Sequence, residues 1–335
     1  MSEHVSAKLP GFARNSVNLA SAGLGAKGVS VTDEFFAPLE RMLADKPAVF
    51  IEDKYDDNGK WMDGWESRRK RVLGHDFAVI RLATAGRIDG FDIDTSHFTG
   101  NYPPAARIEA CNVDGDPNAS TVWTEVLGTS PLGPSAHHYL ASQSTEVFTH
   151  VRLHIYPDGG VARLRVYGQP FLDPSRVGDG EIELSASLNG GRIIGFSDAH
   201  YGSYRLLAPG RGENMGDGWE TSRRRVPGNE WIVIALGARG VISGAIVDTA
   251  FFKGNFPDSC SIQAADMSEF GTDAGDAIIT ASMFWPELIS QQKLQADHVH
   301  DLSGHIKNIG PVTHVRLNIH PDGGVSRLKL TGRLA

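Results

Sequence analysis

The nine residues DGWESRRKR, starting at Asp63, return as DGWETSRRR, starting at Asp217. The recurrence runs well past them: residues 63–104 lie over 217–258 without a gap and agree at 20 of 42 positions. The shared residues include Asp63/Asp217, Gly64/Gly218, Trp65/Trp219, Glu66/Glu220, Arg69/Arg223, Arg71/Arg225, Asp94/Asp248, Phe98/Phe252 and Asn101/Asn255. A second block, THVRLHIYPDGGVARLRVYG at 149–168, matches THVRLNIHPDGGVSRLKLTG at 313–332 at 14 of 20 positions. VSVTDEFFAP at 29–38 and IGFSDAHYGS at 194–203 form a fainter third pair. Three blocks in one order, written twice, make each copy a whole domain and not a solenoid unit. Whatever this chain folds into must therefore be buildable twice. The boundary is expected near GQPFLDPSRVGDG (168–180), where prolines and small polar residues break all periodicity, which gives repeats 1–172 and 173–335.

Within a copy the pattern is that of strands. Val151, Leu153 and Ile155 alternate with Arg152, His154 and Tyr156, the period of a strand with one buried face. PDGG then supplies turn residues, and Ala162, Leu164 and Val166 alternate beyond it. The block predicts a β-hairpin, repeated through Val315, Leu317, Ile319, Leu328 and Leu330. FAVIRLA and RIDGFDID (77–94) predict two further strands separated by a glycine-containing turn, and ARIEACNVDG and TVWTEVL add others. The best helical candidate is short, EFFAPLERMLAD at 34–45. Many short strands with Gly/Pro turns predict an all-β chain of two tandem jelly-roll β-sandwich repeats.

Bulk properties remove several function classes. The net charge of −8 argues against a nucleic-acid partner. No apolar run reaches the roughly 18 residues of a membrane span, and the N-terminal stretch lacks the apolar core of a signal peptide. Cys111 and Cys260 occupy non-equivalent places in the two copies, so no disulfide framework is expected and a cytoplasmic location follows. There is no phosphate loop, nucleotide fingerprint or G-x-S-x-G elbow at a convincing place. No cofactor is evident. DHVHDLSGH (297–305) puts His298 and His300 at a spacing a strand could use for a metal, but a structural or solvent-facing role is the stronger reading, and a divalent metal is left open.

DGWESRRKR, DTSHFTGNYP and THVRLHIYPDGGVARL, each with a second copy downstream, together resemble the allantoicase family almost from end to end. The resemblance implies two galactose-binding-like jelly rolls, a homo-oligomer, and hydrolysis of allantoate to ureidoglycolate and urea. A small-molecule substrate of that kind carries a carboxylate and two ureido groups on one carbon. Its carboxylate calls for a bidentate cation, which Arg69 and Arg71 can supply. Glu66, Asp94 and His97 are the candidate proton-handling groups, and Asn101 is a candidate ureido ligand, with Trp65 a possible platform. Glu220, Arg223, Arg225 and Asn255 repeat that set in the second copy. A scaffold role competes with each assignment: an ion-pair network for the arginines and Glu66, a turn role for Asp94 and Asn101, a core anchor for Trp65. His97 is singled out because the second copy has Phe251 in its place; His154 likewise becomes Asn318 and Tyr156 becomes His320. The second copy is thus either a further contributor to the site or a structural partner. A non-catalytic tandem carbohydrate-binding module is the rival for the whole chain.

Overall fold

The computed structural model describes residues 9–14, 16–172, 180–200, 205–271 and 275–335. Contacts divide the chain into two compact units, Met1–Phe171 and Leu172–Ala335. In the first, the organising element is one strand, Asp76–Asp94. Its first half pairs with Val147–Tyr156 and with Lys27–Val31. Its second half pairs with Arg163–Pro170 and with His137–Ala141. Ala105–Cys111 and Thr124–Pro131 extend the sheet outward from Val147–Tyr156. A single strand that changes sheets midway folds the layers face to face, and the side chains between them form the core. Ile80, Phe91, Ile93, Ile108, Leu153 and Leu164 lie in that core, each with essentially no exposure. The second unit repeats the plan around Glu230–Asp248, with Val312–His320, Arg327–Leu334 and Ser259–Ala265 in the matching places.

Three local expectations change. The two strands expected over 77–94 are one continuous strand, with a register shift in its pairing to Val147–Tyr156 where the turn was expected. Gly86 is glycine for lack of room and not for a turn: a Cβ there would sit 2.8 Å from the Gln169 carbonyl oxygen. The expected THVRL hairpin is also replaced. Its two strands do not pair with each other but flank opposite halves of the long strand, so PDGG carries the chain from one sheet to the other. Alternation reports which face is buried; it is silent about the partner. The helix expected at 34–45 is a five-residue 3₁₀ segment, Leu39–Leu43, entered through Pro38 and held by burial of Leu39, Met42 and Leu43.

The fainter third pair of matching blocks has a structural reason. Trp65 and Trp219 are fully buried, and each indole N–H donates to a backbone carbonyl, of Asp33 at 2.9 Å and of Asp198 at 2.8 Å. Residues 201–203 of that pair, and 173–179 of the expected boundary, lie outside the described residues. The glycines that follow PDG are equally constrained. A Cβ on Gly160 would meet the Phe98 ring at 1.9 Å, and one on Gly324 would meet the Phe252 ring at 2.0 Å. Both rings are fully buried and cannot swing aside. Gly160→Ala is therefore expected to destabilise by about 1–3 kcal/mol or more, read as a lower urea midpoint; an unshifted midpoint would refute the close packing.

Candidate active site

All three repeated motifs meet at one corner of each repeat. Trp65–Glu66 pairs antiparallel with Gly160–Val161, and Trp219–Glu220 with Gly324–Val325. Gly64 allows this approach, since a Cβ there would lie 2.5 Å from the Val161 carbonyl oxygen. Gly218 stands likewise 2.6 Å from that of Val325. The loop after the long strand closes over the same turn: the Gly160 N–H donates to the Asn101 carbonyl at 2.8 Å, and the Gly324 N–H to that of Asn255 at 2.8 Å. Asp158, of PDGG, accepts the Lys70 N–H at 2.7 Å, and Asp322 accepts the Arg224 N–H at 2.8 Å. Much of the repeated sequence is thus the mutual docking of DGWE, GN and PDGG.

What the corner turns outward is a carboxyl, an amide and guanidinium groups. Asn101 Nδ2 donates to Glu66 Oε1 at 2.7 Å, and Asn255 Nδ2 to Glu220 Oε1 at 2.5 Å. Burial pushes the Glu66 carboxyl up, and the nearby Asp56 charge adds to this, against the opposing pull of the Asn101 hydrogen bond. Arg69 is exposed, with Nε 3.7 Å from Asp158 Oδ1, a loose pair that costs little to open. Arg71, Arg223 and Arg225 are exposed as well. In the second repeat the corner opens into a cavity of about 340 Å³ lined by Glu220, Arg223, Asn255, Asp258 and Asp322. Glu220 Oε2 is buried there without a hydrogen-bond partner among the described residues.

The structure therefore brings Glu66, Asn101, Arg69 and Asp158 together, and their counterparts Glu220, Asn255, Arg223 and Asp322. Three of the candidates fall elsewhere. Trp65 has no exposed surface and cannot serve as a platform for a ligand. Asp94 is buried, and its Oδ1 accepts the Ser96 N–H at 2.7 Å in a local turn. His97 does not join Glu66: its Nε2 is 3.2 Å from the Ala48 carbonyl oxygen and its ring stacks on Phe50. Its backbone φ of 70° is matched by 71° at Phe251, so the position is set by a left-handed turn that both repeats need. Asp158 and Asp322 are not among the sequence candidates because PDGG reads first as turn chemistry; their retention in both copies is the signal that marks them. His300 is structural: it accepts the Gln295 N–H at Nε2 and bonds the Val247 carbonyl through Nδ1. His138 does the same with Gly133 and Ile93 in the first repeat, an equivalence the differing sequence spacing conceals. Among the described residues, no three His, Cys, Asp or Glu side chains are grouped to hold a metal ion. No described helix is long and apolar enough to cross a membrane.

A tandem of β-sandwiches whose corner presents carboxyl, amide and guanidinium groups defines a class suited to a small anionic molecule rich in amide-like groups. The allantoicase repeat model matches residues 17–171 and again 182–335. A probable allantoicase of Rhizobium meliloti is 58% identical over 328 residues, covering 98% of this chain and 96% of that protein. One from Photobacterium profundum is 56% identical over 319 residues, covering 94% and 96%. The crystal structure of the Saccharomyces cerevisiae allantoicase superposes with a TM-score of 0.80 at 35% identity, covering 95% of this chain and 93% of that one. The chain belongs to the allantoicase family.

Proposed function

We infer that this chain hydrolyses allantoate to ureidoglycolate and urea, and that the corner of the first repeat holds the substrate. The carrying observation is the meeting of Glu66, Asn101 and Arg69 where three duplicated motifs converge. Arg69 and Arg71 grip the carboxylate. Asn101 Nδ2 donates to Glu66, and the side-chain oxygen Oδ1 accepts a ureido N–H. Glu66, whose burial favours the protonated form, gives its proton to the nitrogen of the departing urea. The remaining ureido nitrogen pushes electrons toward the carbon, and water adds there. The same reading takes the substrate as a free small molecule and the protein as a cytoplasmic homo-oligomer without a resident cofactor. Purified protein with allantoate is expected to release one urea per substrate consumed; folded protein that releases none overturns the assignment.

A second placement is favoured by a specific observation. The second corner has the substrate-sized cavity and the unpartnered Glu220 Oε2. Parallel Glu66→Gln and Glu220→Gln variants separate the two placements, since loss of turnover follows the carboxyl that donates the proton.

A further inference from the structure

Beyond the corner, the first repeat carries a chain of hydrogen bonds across the outer side of its sheet. His75 Nε2 lies 2.8 Å from His154 Nδ1, and His154 Nε2 lies 2.9 Å from Glu109 Oε2. Arg152 donates to the same Glu109 oxygen from Nε at 2.9 Å, and Arg107 pairs with Oε1 at 3.0 Å. Burial raises the Glu109 carboxyl, but the bonds from Arg152 and His154 outweigh it and hold the group below its ordinary value. An ionised carboxylate only accepts, so His154 carries its proton on Nε2 and offers a lone pair at Nδ1. His75 must then donate from Nε2, which leaves its Nδ1 unprotonated. Glu109 is nearly covered and His154 is buried; His75 is the half-buried end, with its ring against Tyr156 at 4.5 Å between centroids.

The second repeat has the same chain made of amides. Asn229 Nδ2 donates to Asn318 Oδ1 at 3.3 Å, and Asn318 Nδ2 donates to Gln263 Oε1 at 3.0 Å. Asn229, Asn318 and Gln263 each stand 154 or 164 positions after His75, His154 and Glu109, the two offsets of the duplication. Donor and acceptor run in the same direction in both. Holding the sheet together therefore requires only amides; what the first repeat adds is the capacity to take up a proton and stabilise its charge.

That end of the chain is joined to the proposed site through the backbone. The string from Glu66 to Asp76 is tied to the PDGG turn twice, by Lys70 N–H to Asp158 and by Asp76 N–H to the Pro157 carbonyl at 3.0 Å. Tyr156, whose ring lies tilted against His75, directly precedes that turn. We propose that Glu109, His154 and His75 form a hydrogen-bonded relay that sets up its half-buried end, His75, to act through Nδ1 as the base that activates water for the hydrolysis. The proposal rests on the allantoate reading. In the step, a water O–H bond breaks and its proton goes to His75 Nδ1. The C–N bond to urea breaks as Glu66 supplies the proton that urea takes and the remaining ureido nitrogen forms a C=N bond, and the water oxygen then bonds to that carbon. The His75 proton then returns to Glu66 through solvent, so that one water is consumed per turnover. Glu109 and His154 are positioning residues: they fix the tautomer and stabilise the charge that His75 acquires.

The surroundings keep the base uncharged in neutral solution. Burial lowers His75, and Arg107 and Lys70 lower it further, with Asp76 opposing and Arg152 adding a little. Burial also lowers His154, against the pull of Glu109. Arg107 is itself engaged by Glu109, Tyr156 and Glu125. The acid limb of the kcat/KM profile should therefore fall below the ordinary histidine value.

The test rebuilds the amide chain of the second repeat in the first, as the triple variant H75N/H154N/E109Q. It is expected to fold with an unchanged sedimentation profile, to lose kcat by at least about 100-fold, and to lose the acid limb of its pH profile. A folded triple variant with wild-type kcat and pH profile overturns the proposal, because amides would then suffice here too. Should the triple variant not fold, H75N alone, which keeps a donor to His154, is read by the same criteria. Imidazole ¹⁵N spectra of the full wild-type chain decide the relay independently of turnover. Nε2–H tautomers at both histidines are expected, and an Nδ1–H tautomer at His75 overturns it. A wild-type protein that shows the tautomers but releases no urea would instead overturn the allantoate reading.

Discussion

Glu66→Gln is expected to lower kcat for allantoate by about 10²–10⁴-fold with a small change in KM. Glutamine keeps an oxygen to accept the Asn101 bond, so the corner retains its shape and loses only the transferable proton. The sedimentation and near-UV spectra should match the wild type. The pH behaviour has a definite sign. Burial raises the folded-state carboxyl above its unfolded value of 4.5. A group raised in this way contributes its stability fully below the unfolded value and loses it as pH rises through the folded one. Ionised Glu66 is thus a liability at neutral pH that glutamine lacks. The variant should gain melting temperature relative to wild type on going from pH 4 to pH 8 while losing activity. Wild-type turnover by Glu66→Gln, with loss on Glu220→Gln, would move the chemistry to the second corner.

The sequence showed the duplication and the strands because these are periodic or repeated properties of neighbouring residues, but it left Trp65 open between a ligand platform and a core anchor. It also offered the Glu–Asn–Arg set as candidates, since all three sit in aligned blocks, and the fold brings them to one corner. What it could not show are pairings between distant strands. Val147–Tyr156 and Arg163–Pro170 look like a hairpin because only six residues separate them, yet each bonds to a different half of Asp76–Asp94. The relay joins residues 75, 109 and 154, which lie on separate segments and in no shared motif. His97 misled for a different reason. Its absence from the second copy suggested function, whereas the backbone at that position asks only for a left-handed turn, which Phe251 also adopts. The more informative differences were those at His154/Asn318 and His75/Asn229, where the hydrogen-bond pattern persists and the ability to titrate does not.

Arg163→Met is the substitution expected to cost most in stability, about 3–5 kcal/mol. Arg163 is fully buried, and its guanidinium joins the two main duplicated blocks. Nη2 bonds Asp63 Oδ2 at 2.7 Å, and Nη1 donates to the carbonyls of Asp63 at 2.9 Å, Ala162 at 2.6 Å and Arg41 at 3.1 Å. Nε donates to the Lys46 carbonyl at 2.8 Å. Methionine fills much of the space but leaves a half-buried carboxylate and several carbonyls without their donor, and unpaired buried acceptors bear the full desolvation penalty. Lysine keeps the charge without the planar set of donors and should recover only part of the loss. The second repeat supplies the internal control. Arg327 donates to the carbonyls of Asp217 at 2.8 Å and Ser326 at 2.7 Å, but stands 3.8 Å from the Asp217 carboxylate, which Arg205 engages instead. Arg327→Met therefore strands fewer partners and should cost about 1–3 kcal/mol. Urea unfolding of the two variants decides the matter: equal midpoints, or a midpoint for Arg163→Met close to wild type, would show that the Asp63–Arg163 linkage does not hold the corner together.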